Sequence, residues 1–174
     1  MSLPYILYLV RHGIAVDASA KVSDAERGLT ADGARKMTRI ARGLKRLGVS
    51  PDVILSSPLR RAEETAMLIA EELTPERPIE MQPLLAPGSQ PADLLKSLRT
   101  QRRAHHIFLV GHQPDLGELA SYLLTRSPRL APLPFRKGGI AALSVTGLPP
   151  RAPAALQWFM TPSQLRAIGR GRRA

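Results

Sequence analysis

The run Tyr5-Ile-Leu-Tyr-Leu-Val10 constrains the fold most, together with its abrupt end in Arg11-His12-Gly13. An apolar run of this length without polar alternation, bounded by a turn signal, describes a strand buried in a parallel sheet. Ligands in open α/β sheets bind beyond the carboxyl ends of the strands. Arg11 and His12 therefore lie where chemistry is expected. Gly13 allows a sharp turn or the close approach of a ligand. Taken alone, a strand followed by a polar turn explains this stretch equally well.

Two later runs repeat the pattern. Val53-Ile-Leu55 leads into Ser56-Ser57-Pro58-Leu59-Arg60-Arg61-Ala62, and Ile107-Phe-Leu-Val110 leads into Gly111-His112-Gln113-Pro114. Helical spacing follows the first two strands, with Met37, Ile40, Ala41, Leu44 and Leu47 in one segment and Leu59, Ala62, Ala66, Ile69 and Ala70 in another. Thr30 is the expected N-cap of the first helix and Gly48 its end. Ser57 is expected to cap the second, with Pro58 in its first turn. Pro91 and Pro114 open two more helices, Ile140–Val145 and Ala155–Phe159 read as strands, and Pro162 opens a last short helix. This alternation predicts an α/β three-layer sandwich, with a mostly parallel central sheet and helices on both faces. The Pro-rich segment 127–139 is the candidate lid or docking loop, or else a plain connection.

The length suits a single domain over residues 1–174, with a frayed basic tail from about 165 to 174. A composition 44% hydrophobic but only 4% aromatic predicts an aliphatic core. The absence of cysteine excludes disulfides, thiolate metal sites and cysteine nucleophiles, and fits a cytoplasmic protein. No stretch approaches the roughly 18 apolar residues of a membrane helix, so no membrane partner is expected. No secretory signal is read at the N-terminus. A formal charge of +11 favours anionic partners. No helix-turn-helix, zinc finger or aromatic stacking pattern points to nucleic acid. The sequence leaves the oligomeric state open.

The three strand ends, in this order, resemble the histidine phosphatase superfamily. Its signatures are an Arg-His-Gly tripeptide, a Ser-Ser-Pro-x-x-Arg-Ala segment and a late Gly-His. Arg27, Leu29, Thr30 and Gly33 resemble a further Arg-x-Leu-Thr-x-x-Gly signature. The short length and the stretch Leu156 to Leu165 look most like its SixA phosphohistidine phosphatase branch. The resemblance implies a phosphoglycerate mutase-like fold, with Arg11, His12, Arg61 and His112 at one sheet edge. It places the active arginine directly before Ala62, hence at Arg61 and not Arg60.

An imidazole can attack phosphorus and hold the group until water takes it. His12 is the expected nucleophile, with its other ring nitrogen bonded to a backbone carbonyl, that of Gly13 being the candidate. Arg11 and Arg61 are expected to clamp the phosphate with Gly13 nearby. His112 is expected to be protonated or to donate to the phosphoryl group. His105 and His106 face opposite ways on a strand and form no joint metal site. No metal and no cofactor are expected. Larger superfamily members carry an inserted acid for the leaving group, and no such insertion is visible here. Asp17 and Glu118 are the nearest acids by sequence.

These readings predict a metal-independent phosphatase acting on protein phosphohistidine. The alternatives are a phosphomonoesterase on a small phosphate ester, and a phosphoprotein-binding module without turnover.

Overall fold

A computed structural model describes residues 4–18 and 22–171. Six strands form one sheet: β1 (Tyr5–Arg11), β2 (Val53–Ser56), β3 (Glu80–Met81), β4 (His106–Gly111), β5 (Ile140–Val145) and β6 (Ala155–Met160). Their spatial order is β3-β2-β4-β1-β5-β6. The pairs β3-β2, β2-β4 and β4-β1 are parallel, whereas β1-β5 and β5-β6 are antiparallel. The sheet is therefore mixed, with its parallel part where the motifs lie.

Five α-helices cover it: α1 (Ala31–Arg46), α2 (Arg60–Leu73), α3 (Pro91–Ser97), α4 (Asp115–Thr125) and α5 (Pro162–Arg170). Strand periodicity sorts the core into two layers. Leu7, Leu9, Leu55, Ile107 and Leu109 pack towards α3 and α4. Tyr8, Val10, Ile54, Phe108 and Val110 pack towards α1, α2 and α5. Helices α1 and α2 follow connections running towards the β3 edge, and α3 follows the return. Opposite directions taking opposite faces is what one crossover hand requires. The result is the expected three-layer α/β sandwich.

Local chemistry explains the boundaries. The Thr30 hydroxyl accepts from the Gly33 amide at 2.9 Å, and Gly48 takes a positive φ of 71° just beyond α1. At α5 the Thr161 and Gln164 side chains form a reciprocal capping box ahead of Pro162.

Two expectations change. Helix α2 starts at Arg60, not at Pro58, and its N-cap is Leu59. The Ser57 hydroxyl still accepts from the Leu59 amide at 3.3 Å, so it closes a turn before the helix and stays available to other partners. The stretch from Leu165 to Arg170 is not a frayed tail. It is the body of α5, and Leu165 is fully buried. The backbones of α1 and α5 touch. A Cβ on Gly169 would lie 2.1 Å from the Arg39 carbonyl, and one on Gly43 would lie 2.2 Å from that of Leu165. Arg172 and Arg173, also assigned to that tail, lie outside the described residues.

Candidate active site

The carboxyl ends of β1, β2 and β4 are adjacent, so their trailing residues meet. Within the ladder Arg11 pairs with Gly111, and the His12 amide donates to the Gly111 carbonyl at 3.1 Å. His12 and His112 thus face each other, with ring centroids 5.0 Å apart and planes tilted by 51°. The guanidinium groups of Arg11 and Arg61 bear electrostatically on both rings. The four side chains singled out in the sequence converge.

His12 Nδ1 lies 2.7 Å from the Gly13 carbonyl. A carbonyl only accepts, so Nδ1 carries the proton and Nε2 keeps the lone pair. Burial is the main cause pushing the His12 pKa down to about 3, with His112, Arg61 and Arg11 adding to it against the Gly13 hydrogen bond. His12 is neutral at physiological pH, with its Nε2 lone pair free.

Of the two states expected of His112, protonated or donating while neutral, the surroundings favour the neutral ring. Burial, then Arg61, lowers its pKa to about 4. Its Nε2 lies 2.8 Å from the Ser57 hydroxyl, and its buried Nδ1 has no protein partner among the described residues. A neutral ring can still donate through the nitrogen that holds its proton.

Arg61 has a side chain 7% exposed, while that of Arg60 is 62% exposed and paired with Glu64 at 2.7 Å. The helix register thus turns Arg61 inward and Arg60 to solvent. Arg11 Nη1 donates to the Phe135 carbonyl at 2.6 Å, and its buried Nε has no protein partner among the described residues. Segment 127–139 is accordingly no detached lid. Phe135 is buried in the core, and the Gly138 amide donates to the carbonyls of Arg11 at 3.0 Å and His12 at 3.1 Å.

Gly13 does not offer its amide to a ligand. That amide donates to Thr65 Oγ1 at 3.0 Å. The glycine is needed for packing, since a Cβ there would lie 2.7 Å from Met37 Cγ.

Neither acid named from the sequence bears on the electrostatics of His12 or His112. Asp17 is exposed in its loop, and Glu118 is half-buried on α4. The carboxylate acting on His112 is Asp24. Its Oδ2 lies 3.0 Å from Arg61 Nη2, and its backbone carbonyl accepts from Arg61 Nη1 at 2.6 Å. Hydrogen bonding to Arg61 is the main cause holding the Asp24 pKa below its ordinary value, so this carboxyl is ionised and carries no proton to give.

Sequence reading missed Asp24, Ser57 as a partner of His112, and Thr65. Thr65 was detectable as a polar residue on the otherwise apolar face of α2. It is fully buried, and its hydroxyl also donates to the Arg61 carbonyl at 2.7 Å, tying the arginine's backbone to Gly13.

His105 and His106 sit at the opposite end of β4. His105 stacks on Tyr5, and His106 Nδ1 lies 3.1 Å from the Tyr8 hydroxyl. Among the described residues no group of three or more His, Cys, Asp or Glu could hold a metal ion, and no helix is long and apolar enough to cross a membrane.

The sequence signature of the histidine phosphatase superfamily (branch 1) matches residues 7–86. A protein of unassigned function from Picosynechococcus sp. is 43% identical over 116 residues, covering 66% of this chain and 70% of that protein. Phosphohistidine phosphatase SixA of Escherichia coli K12 is 28% identical over 163 residues, covering 92% of this chain and 96% of SixA. A structure of the protein histidine phosphatase SixA complexed with tungstate matches with a TM-score of 0.80 and 26% identity, covering 92% of this chain and 99% of that one. The fold is also shared with an Escherichia coli protein described as a putative alpha-ribazole-5'-P phosphatase, at a TM-score of 0.70 and 20% identity over 92% of this chain and 98% of that one.

Proposed function

The chain belongs to the histidine phosphatase superfamily, and from that premise we propose that it hydrolyses phosphohistidine in a protein through a phosphoryl group carried on His12. Phosphoryl transfer asks the protein mainly for positioning and charge neutralisation. Arg11 and Arg61 supply the cations, and their planar forks match phosphate oxygens. His12 Nε2 forms the new N–P bond while the substrate's N–P bond breaks. The departing imidazole leaves neutral when its distant nitrogen already holds a proton. Water then adds to phosphorus, Nε2 recovers its lone pair, and inorganic phosphate departs with the water's oxygen. His112 steadies the phosphoryl oxygens in both steps.

One observation carries the choice of phosphohistidine. Asp24, the carboxylate paired with Arg61, has its pKa lowered by that hydrogen bond, which makes it a poor proton donor to a leaving oxygen. An alkoxide needs such a proton as its bond breaks. An imidazole, with an ordinary pKa of about 6.5, takes its proton beforehand. The likeness to SixA over most of both chains supports the same reading. A phosphomonoesterase on a small ester is the second reading, favoured by the fold shared with the alpha-ribazole phosphatase. Cytoplasmic location and independence of metal belong to the proposal.

The test compares kcat/KM for a phosphohistidine protein, an aryl phosphate and a sugar phosphate, with and without chelator. The expected order is phosphohistidine, then aryl, then sugar phosphate, unchanged by EDTA. A sugar phosphate turned over best would move the function to small metabolites and would mean that a carboxyl delivers a proton after all.

A further inference from the structure

Beside the histidine pair the same sheet edge opens a cleft of about 420 Å³, lined in part by Arg11 and Gly13. Ile14, Met37 and Ile40 give it apolar lining, and Lys36, Arg136, Lys137 and Arg166 give it cationic lining. Among the described residues no acidic one lines it. Lys36 is paired with Asp32 at 2.5 Å. Among the described residues Arg136, Lys137 and Arg166 have no ion-pair partner.

The fold holds the bases of these cations in place. Arg136 and Lys137 sit in a turn closed by the Gly139 amide on the Arg136 carbonyl at 2.7 Å, and Gly138 fastens that turn to the carbonyls of Arg11 and His12. Arg166 rides on α5, whose backbone is seated on α1. Unpaired like charges gathered beside the Arg11 guanidinium repel one another, and an anion bound among them removes that cost.

We propose that this cleft binds acidic side chains flanking the phosphorylated histidine of the protein substrate. The inference rests on the phosphohistidine reading of the adjoining site and adds what the enzyme recognises around it. A small ligand is gripped by a few buried polar groups. Here Arg136 and Lys137 are exposed. That suits carboxylates on a chain lying across the opening, which gain mainly in encounter and register. The apolar lining accommodates the methylene stems of Glu or the neighbouring side chains.

Two phosphohistidine peptides test this, one with Glu and one with Gln beside the phosphohistidine, alongside an aryl phosphate that has nothing to place in the cleft. At low salt the native protein should prefer the Glu peptide by about tenfold in kcat/KM, as several exposed ion contacts together allow. Combining Arg136→Gln, Lys137→Gln and Arg166→Gln should abolish the preference and change kcat for the aryl phosphate by no more than about twofold, since long-range charge acts mainly on encounter. An unchanged unfolding midpoint checks that the variant is folded, and Arg136→Gln alone should remove part of the preference. Equal rates on the two peptides, or a preference that survives in the triple variant, would overturn the cleft and leave the phosphohistidine reading standing. Native protein that cleaves the aryl phosphate and neither peptide would overturn both.

Discussion

At the scale of single residues, the site depends on keeping two imidazoles neutral against an ordinary pKa near 6.5. Burial pushes His12 down to about 3 and His112 to about 4. Neither ring should titrate between about pH 5 and pH 8, which the imidazole signals in an NMR titration would report. The same shifts set a stability slope. Below about pH 6.5 the unfolded chain binds protons on these rings that the folded protein refuses, so stability rises with pH across that window. The urea midpoint should fall as pH drops from about 7 to about 4, and replacing both rings by Gln should flatten part of that fall. A native midpoint constant over the window would contradict the buried neutral pair. For turnover, His12→Ala should abolish it and leave a folded protein, and a labelled phosphoenzyme should map to His12. Arg61→Ala should cost about 3 kcal/mol of transition-state stabilisation in kcat/KM, as loss of one preorganised donor does. Arg60→Ala should cost little, because its guanidinium is engaged at the surface by Glu64. A larger loss at Arg60 than at Arg61 would invert the register of α2.

At the scale of elements, what the sequence disclosed and what it withheld follow one physical division. The strands, the helix spacing and the His and Arg at strand ends are local patterns, so they could be read directly. The supports of those side chains are contacts between distant segments. Arg61 meets Asp24 across 37 residues, the Gly13 amide meets Thr65 across 52, His112 meets Ser57 across 55, and Arg11 meets Phe135 across 124. No periodicity encodes such a meeting. The fate of residues 165–170 was withheld for a related reason. Arg166 and Arg170 suggest solvent, but Gly169 and Gly43 let α5 lie directly against α1, which a linear reading does not show. That contact makes a prediction. Gly169→Ala puts a methyl against backbone at Arg39 and Gly43 that cannot step aside cheaply, and overpacking of this kind costs about 1–3 kcal/mol. The urea midpoint should drop with an unchanged slope. An unaltered midpoint would mean that α5 can slide on α1 without loss.

At the scale of the whole molecule, charge and topology act together. The parallel strands deliver His12, Arg61 and His112 to one edge, and the turn before β5 brings Arg136 and Lys137 to the same edge. With a formal charge of +11, the surface would attract the acidic phosphoprotein proposed as substrate. Such steering speeds encounter and is screened by salt, whereas bond-making inside a closely surrounded site is screened far less. The two effects separate kinetically. Raising salt from about 20 mM to about 300 mM shortens the screening length severalfold. Over that range kcat/KM on an acidic phosphohistidine protein should fall by about tenfold or more, while kcat changes little. Stopped-flow encounter rates and steady-state kcat on one protein substrate read the two quantities apart. A kcat that falls in step with kcat/KM would place the salt-sensitive charges at the reacting phosphoryl group itself, and would remove surface charge from the account of how this substrate is captured.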